Sequence, residues 1–197
     1  MAISAQTVKE LRDKTGAGMM DCKHALEESK GDVEKAIEFL RKKGLSSLAK
    51  RSGRETSEGV IASYIHPGER LGVLVEVNCE TDFVARTDEF KDFVHDLAMH
   101  IAAAAPQGLD RAAIDPELVE KEADIYRAQM KEEGKPDNII DKIVQGKIDK
   151  FYAEVCLLEQ KFVKDPDMTV LDLVKSKIGS LGENMEIKRF VRYQIGG

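Results

Sequence analysis

Apolar residues in the first 45 positions fall into three short groups that each have helical spacing. A Thr-x-x-Glu capping box at residues 7–10 marks the first helix, and Asp32 is expected to cap the third. Glycines at 16, 18, 31 and 44 are expected to end the helices. The groups are Ile3, Val8 and Leu11; Met19, Cys22, Ala25 and Leu26; and Val33, Ala36, Ile37 and Leu40. This pattern predicts a three-helix module over residues 1–45, followed by a polar linker over residues 46–58.

Beyond the linker the pattern changes to the alternation of β-strands. Residues 60–66 are rich in β-formers, and Pro67-Gly68 is a turn signal. Residues 71–79 then have a valine at every second position, Val73, Val75 and Val77, all on one face, which predicts an antiparallel hairpin. Residues 186–193 alternate again and are expected to add a third strand to the same sheet.

Helical patterns fill the stretch between these strands. A continuous apolar stripe predicts a helix that stops before Pro106, and Asp115-Pro116 has the form of a helix start. Two further short helices are expected on either side of Gly146, and a last one from Thr169 to about Gly182. The stripe consists of Phe90, Phe93, Val94, Leu97 and Ile101. The predicted fold class is therefore α+β, with residues 59–197 as the core domain.

Composition restricts the functions that the chain can perform. Its 197 residues contain 30 Lys and Arg against 36 Asp and Glu, a net charge of -6, although the first 54 residues alone carry +4. An acidic body argues against a nucleic-acid-binding protein, including an RNA-contacting translation protein. The N-terminus has no apolar signal stretch, and no apolar run reaches the ~20 residues that span a membrane. The three cysteines are widely spaced, which is typical of proteins whose thiols stay reduced. We therefore expect a cytoplasmic protein that does not bind membranes.

The usual signatures of catalysis are missing from the sequence. It has neither a glycine-rich phosphate-binding loop nor a Gly-x-Ser-x-Gly elbow. His95 and His100 stand five positions apart, which places them on different helix faces and disfavours a metal pair. Cys79 near Asp82 has the elements of a nucleophile, but a small buried thiol at a strand end is the favoured interpretation. We predict no enzyme, no metal site and no cofactor.

Two segments favour contact with another protein. Residues 15–23 (TGAGMMDCK) place Met19 and Met20 after a glycine turn, where one small core cannot accommodate both; the alternative is that both pack internally or against the linker. Residues 81–84 (TDFV) lie between a strand and a helix. The ordinary interpretation is that Asp82 or Thr87 caps the helix while Phe83 anchors the core. The functional interpretation is a projecting tip with an aromatic ring beside a carboxylate.

Both segments closely resemble signatures of bacterial elongation factor Ts, the family of guanine nucleotide exchange factors for elongation factor Tu. The second signature extends over residues 77–86 (VNCETDFVAR). Residues 98–102 (AMHIA), 133–136 (EGKP) and 158–163 (LEQKFV) are also similar to the family, so the resemblance covers essentially the whole chain. The length fits the short form with one core. Lys161 departs from the family, which often has proline there.

The resemblance implies a ubiquitin-associated-like N-terminal module and a dimerising core, in a homodimer that forms a 2:2 complex with elongation factor Tu. It assigns displacement of the partner's Mg²⁺ to the tip, with Phe83 as the wedge, and partner binding to residues elsewhere. The tip residues are Thr81, Asp82, Phe83 and Val84; the partner-binding residues are Met19, Met20, Lys23 and His66. An adaptor whose first module binds ubiquitin-like folds stays open as a rival hypothesis.

Overall fold

A computed structural model describes residues 3–15, 17–51 and 53–196 of the chain. Gly16, one of the predicted helix-ending glycines, and Ser52, in the predicted linker, lie outside the described residues. The helices are α1 (Ala5–Thr15), α2 (Met19–Glu28), α3 (Val33–Arg51), α4 (Asp82–Ala85), α5 (Asp88–Ala104), a 3-10 turn (Arg111–Ala113), α6 (Pro116–Glu132), α7 (Asp137–Val155) and α8 (Val170–Leu181). The strands are β1 (Glu58–Ile65), β2 (Leu71–Cys79), β3 (Lys161–Phe162), β4 (Asp165–Thr169) and β5 (Met185–Gln194).

The chain divides into two compact units that each combine separate segments. The first unit consists of Met1–Val60, Val77–Phe93 and Val174–Lys188. The second unit consists of Ile61–Glu76, Val94–Leu173 and Arg189–Gly197. Residues 81–84, at the corner between β2 and α4, thus belong to the same unit as the N-terminal helices.

Helices α1 to α3 share an apolar cluster in the first unit. Its buried members are Val8, Leu11, Cys22, Ala25, Leu26 and Ala36. The predicted cap of α1 is wrong, because Ser4 accepts the Thr7 N–H at 3.1 Å and the helix begins one turn earlier. The predicted cap of α3 is confirmed, since Asp32 accepts the Lys35 N–H at 3.1 Å. Gly44 does not end α3, which continues to Arg51 and takes in the start of the predicted linker.

The three long strands form one antiparallel sheet in the order β1-β2-β5. Val73, Val75 and Val77 of β2 are buried, as their alternation predicts. Met185 and Ile187 of β5 are buried with the same period. The α+β fold class and the three-stranded sheet predicted from the sequence are confirmed.

The remaining elements confirm some sequence predictions and contradict others. All five residues of the predicted α5 stripe are buried, and Thr169 and Asp172 cap α8 reciprocally. Gly146 was expected to separate two helices, but α7 runs through it without a break. Strands β3 and β4 were not predicted; they pair antiparallel, with Lys161 opposite Thr169 and Phe162 opposite Asp165. Within the described part of the chain, every helix is too short or too polar to cross a membrane.

Candidate partner-binding site

The corner that contains residues 81–84 is built by two threonine caps. β2 ends at Cys79, and Thr81 adopts an extended conformation whose hydroxyl oxygen accepts the Val84 N–H at 3.5 Å. The single turn of α4 follows, and Thr87 then accepts the Phe90 N–H at 3.2 Å to start α5. Two caps so close together turn the chain sharply from strand to helix.

Phe83 points away from its own unit. Its side chain is 82% exposed, whereas Ala85, at the end of the same turn, is buried. The interpretation of Phe83 as a core anchor is therefore wrong, although the cap expected from Thr87 is present. The core is filled instead by Phe90 and Phe93, whose rings stack edge to face at 6.3 Å. An exposed phenyl ring on a capped turn is a feature that a partner protein can bury.

Asp82 carries the only charge of the tip at neutral pH, and a neighbour on the same turn balances it. The Arg86 guanidinium lies 2.9 Å from the Asp82 carboxylate, and both side chains are substantially exposed. Such surface pairs contribute at most about 1 kcal/mol, so a partner can replace Arg86 at small cost.

Thr81, the first residue of the tip, is held by a residue far away in the sequence. The Glu183 carboxylate accepts the Thr81 N–H at 3.0 Å and the Thr81 hydroxyl at 2.6 Å. The Cys79 thiol donates to the Thr81 carbonyl at 3.2 Å, and burial together with the Glu183 charge raises the pKa of that thiol. Cys79 is thus the buried thiol expected from its strand-end position, and a raised pKa makes it a poor nucleophile.

Glu80, which precedes Thr81, accepts a backbone N–H from the residue that follows Glu183. Its carboxylate accepts the Asn184 N–H at 2.6 Å and lies 3.2 Å from the Arg54 guanidinium. The Asn184 N–H, followed by Arg54, lowers the pKa of Glu80. Sequence reasoning missed Arg54, Glu183 and Asn184, because no local pattern connects them with the signature.

The second predicted surface lies on α2. Met19 is 45% exposed and Met20 71% exposed, so the alternative that both pack internally or against the linker is wrong. Lys23 is exposed on the same helix, 3.9 Å from Glu27, whereas Cys22 faces the apolar cluster. Met19 also lines an open cleft of about 510 Å³, to which Glu89 and Ser180 contribute. These side chains give α2 an outer face of flexible apolar groups with a nearby positive charge.

The histidines have distinct environments. His66 is exposed where β1 ends, with its Nδ1 atom 3.0 Å from the Tyr64 hydroxyl. His95 is exposed, whereas His100 on the same helix is fully buried, which agrees with the prediction that they lie on different faces. Across residues 3–15, 17–51 and 53–196, no group of three or more His, Cys, Asp and Glu side chains is arranged to hold a metal ion.

Comparison with known proteins identifies the family. Residues 4–197 match the family model described as "Elongation factor TS". The chain is 60% identical to elongation factor Ts of Carboxydothermus hydrogenoformans over 98% of its own length and 89% of the relative's. It is 58% identical to that of Geobacter sulfurreducens, over 100% and 91%, and 57% identical to that of Fervidobacterium nodosum, over 100% of both chains.

These matches extend over the N-terminal helices, the sheet and the corner alike, and they define the chain as a translation elongation factor. It belongs to the elongation factor Ts family.

Proposed function

We propose that this protein binds the GTPase elongation factor Tu in the cytoplasm and promotes the release of its GDP, so that GTP can bind. Membership of the family supports the partner and the exchange activity. The single observation that carries the mechanism is the 82% exposure of Phe83 on a corner fixed by two caps. The process requires no covalent chemistry and no cofactor of this chain's own.

Exchange of this kind follows from linked binding equilibria. A factor that binds the nucleotide-free GTPase more tightly than the GDP-bound form must weaken GDP binding by the same ratio. Each tenfold change in affinity corresponds to about 1.4 kcal/mol. Burial of one phenyl ring contributes roughly 1.5–3 kcal/mol, so Phe83 alone supplies between one and two powers of ten.

The tip residues divide this task between shape and charge. Phe83 is the wedge that displaces partner groups around the phosphate-bound Mg²⁺, whose octahedral coordination tolerates little distortion. On binding, Asp82 gives up its ion pair with Arg86 and contacts a polar group of the partner instead. Thr81 fixes the start of α4, and the half-buried Val84 supports the turn beneath the ring.

Other surfaces supply docking rather than displacement. Met19, Met20 and Lys23 of α2 bind the nucleotide domain of the partner, since exposed methionines adapt to apolar surfaces and lysine adds a charge. His66 is a further contact at the end of the β1-β2 hairpin. We retain residues 1–45 as a ubiquitin-associated-like docking module, residues 46–58 as its connection and residues 59–197 as the core; the apolar cluster of α1 to α3 supports the first of these.

The protein acts as a homodimer that forms a 2:2 complex with elongation factor Tu. Support comes from the outer face of the sheet in the second unit, where Ile61 is 68% and Tyr193 72% exposed. These two residues line a groove of about 350 Å³ together with Leu74, which is also exposed. Apolar side chains grouped on one sheet face are typical of a surface that another protein covers.

Release of fluorescent GDP from elongation factor Tu, chased with unlabelled GDP, tests the proposed function. We expect the chain to accelerate release and Phe83→Ala to remove most of the acceleration, at least tenfold, because the wedge is lost. Its unfolding free energy should stay within about 0.5 kcal/mol of wild type, since the ring is solvated in the free protein.

Val163→Ala is a suitable control, because Val163 is another exposed apolar residue. It should leave the acceleration unchanged. Binding of the chain to elongation factor Tu without faster release would support the adaptor hypothesis instead. A marked loss of stability in Phe83→Ala would show that the ring is part of the core.

A further inference from the structure

Two glutamates in the first unit fasten the Phe83 corner to the turn between α8 and β5. Glu80 accepts a hydrogen bond from the Asn184 N–H at 2.6 Å, and Glu183 accepts one from the Thr81 N–H at 3.0 Å. Glu80 and Thr81 are neighbours on the corner, and Glu183 and Asn184 are neighbours on the turn. Each segment therefore supplies one carboxylate that accepts a backbone N–H of the other segment. We call this arrangement the glutamate clasp.

The clasp and the residues beside Thr81 together engage all the polar groups of Thr81. Its N–H and its hydroxyl both donate to the Glu183 carboxylate, and its carbonyl accepts from the Cys79 thiol at 3.2 Å and the Ala85 N–H at 3.3 Å. Its hydroxyl oxygen still accepts the Val84 N–H, as a hydroxyl can donate and accept at once. Thr81 consequently has little freedom to rotate immediately before Asp82 and Phe83.

Arg54 connects the two sides of the clasp. Its guanidinium contacts the Glu80 carboxylate at 3.2 Å, and its carbonyl accepts the Asn184 side-chain amide at 2.8 Å. The corner, the turn and the segment before β1 are thus linked by hydrogen bonds; those of Glu80 and Glu183 involve a charged group and are stronger than the neutral one between Asn184 and the Arg54 carbonyl.

We propose that Glu183 is a positioning residue for nucleotide exchange, because it holds the corner in the conformation that presents Phe83 to the partner. The inference rests on the proposed function and names a residue outside the tip and the docking surfaces. An exposed ring on a mobile loop must be ordered when it binds, and a preorganised loop avoids that cost. Glu183 acts through Thr81 and does not need to contact the partner.

Replacement of Glu183 tests this role through the dependence of GDP release on chain concentration. Glu183→Ala removes both acceptors of Thr81, and we expect about a tenfold lower maximal release rate at saturating chain. The half-saturating concentration should stay within about twofold of wild type, since the α2 surface is unaffected. A purely structural defect that unfolds part of the chain would instead raise the half-saturating concentration and preserve the maximum.

Two further variants guard against an effect of folding. Glu183→Gln keeps the size of the side chain but offers one acceptor oxygen and one donor amide, so it should give an intermediate maximal rate. Glu186→Ala is the matched control, because this nearby glutamate lies in β5 and, within the described part of the chain, its carboxylate pairs only with the Thr56 hydroxyl, at 3.4 Å, and Lys188, at 3.6 Å. It should retain the wild-type rate.

The double variant Glu183→Ala/Phe83→Ala decides whether Glu183 acts through the tip. If it does, the double variant exchanges no more than about twofold slower than Phe83→Ala alone, because the ring that Glu183 positions is already gone. Additive losses, or a wild-type maximal rate in Glu183→Ala, would overturn the inference while the slow Phe83→Ala variant upholds the proposed function. No acceleration by the wild-type chain would instead overturn both.

Discussion

Phe83 and Phe90 show how the position of a residue relative to a helix start determines its environment. Phe90 lies in the first turn of a long helix and is fully buried, whereas Phe83 lies in a one-turn helix and is 82% exposed. A single turn directs few side chains inward, and Ala85 takes that position here. The exposed ring is therefore a consequence of local geometry rather than of composition.

His100 is a buried polar residue whose two ring nitrogens are both engaged. Nδ1 accepts the Val163 N–H at 3.2 Å, so Nε2 carries the proton and donates to the Gln160 side-chain oxygen at 3.0 Å. The Gln160 amide in turn donates to the Glu154 carbonyl at 2.7 Å. Burial lowers the pKa of His100 from its ordinary value of 6.5 and favours the neutral ring.

This environment predicts a pH dependence of stability. Above pH 6.5 His100 is neutral in the folded and the unfolded chain, and its buried hydrogen bonds contribute fully to stability. Below pH 6.5 the unfolded chain binds a proton at His100 more readily than the folded chain does, so stability falls with the pH. His100→Asn retains an acceptor and should flatten the curve of unfolding free energy against pH between 7 and 5. One group contributes at most about 1.4 kcal/mol per pH unit. Urea unfolding of both proteins measures this, and parallel curves would contradict it.

At the scale of elements, helices and strands are predicted best where one buried face gives the apolar residues a regular spacing. The valine alternation of β2 and the apolar stripe of α5 both correspond to buried faces. Glycine is a weaker signal, because it costs a helix only about 1 kcal/mol, and α3 and α7 continue through Gly44 and Gly146. β4 escaped prediction because its sequence, Asp-Pro-Asp-Met-Thr, contains residues that are rare in strands.

Gly146 gives a direct test of that explanation. It lies within α7, and a Cβ atom added there would meet nothing within 4 Å. Gly146→Ala should therefore stabilise the protein by about 0.5–1 kcal/mol in urea unfolding, because alanine loses less backbone entropy in a helix. Gly182→Ala is the control: it also has open space but a φ of +81°, so it should destabilise. Equal effects of the two substitutions would refute the argument.

At the scale of the whole molecule, the prediction of the candidate site divides into two parts. Thr81 to Val84 and the methionines of α2 were found from contiguous motifs, since each set lies within a few positions. Glu183 was not found, because only the folded chain brings it to Thr81 across 102 positions. Motifs thus predict candidate groups that lie close together in the sequence, whereas the distant groups that hydrogen-bond to them are found only in the folded chain.

The proposed homodimer can be tested through the outer face of the sheet. Ile61 is 68% exposed there, beside Leu74 and Tyr193, and we expect dimers to cover this face because apolar burial drives association. Ile61→Lys would place a charge in that contact and should give monomers in light scattering, with an unfolding free energy independent of protein concentration. Ile125→Lys makes the same change at an exposed isoleucine of α6 and should leave dimers intact. If Ile61→Lys remains dimeric while Ile125→Lys dissociates, the subunits meet through the α6 side and the sheet face is left for another partner.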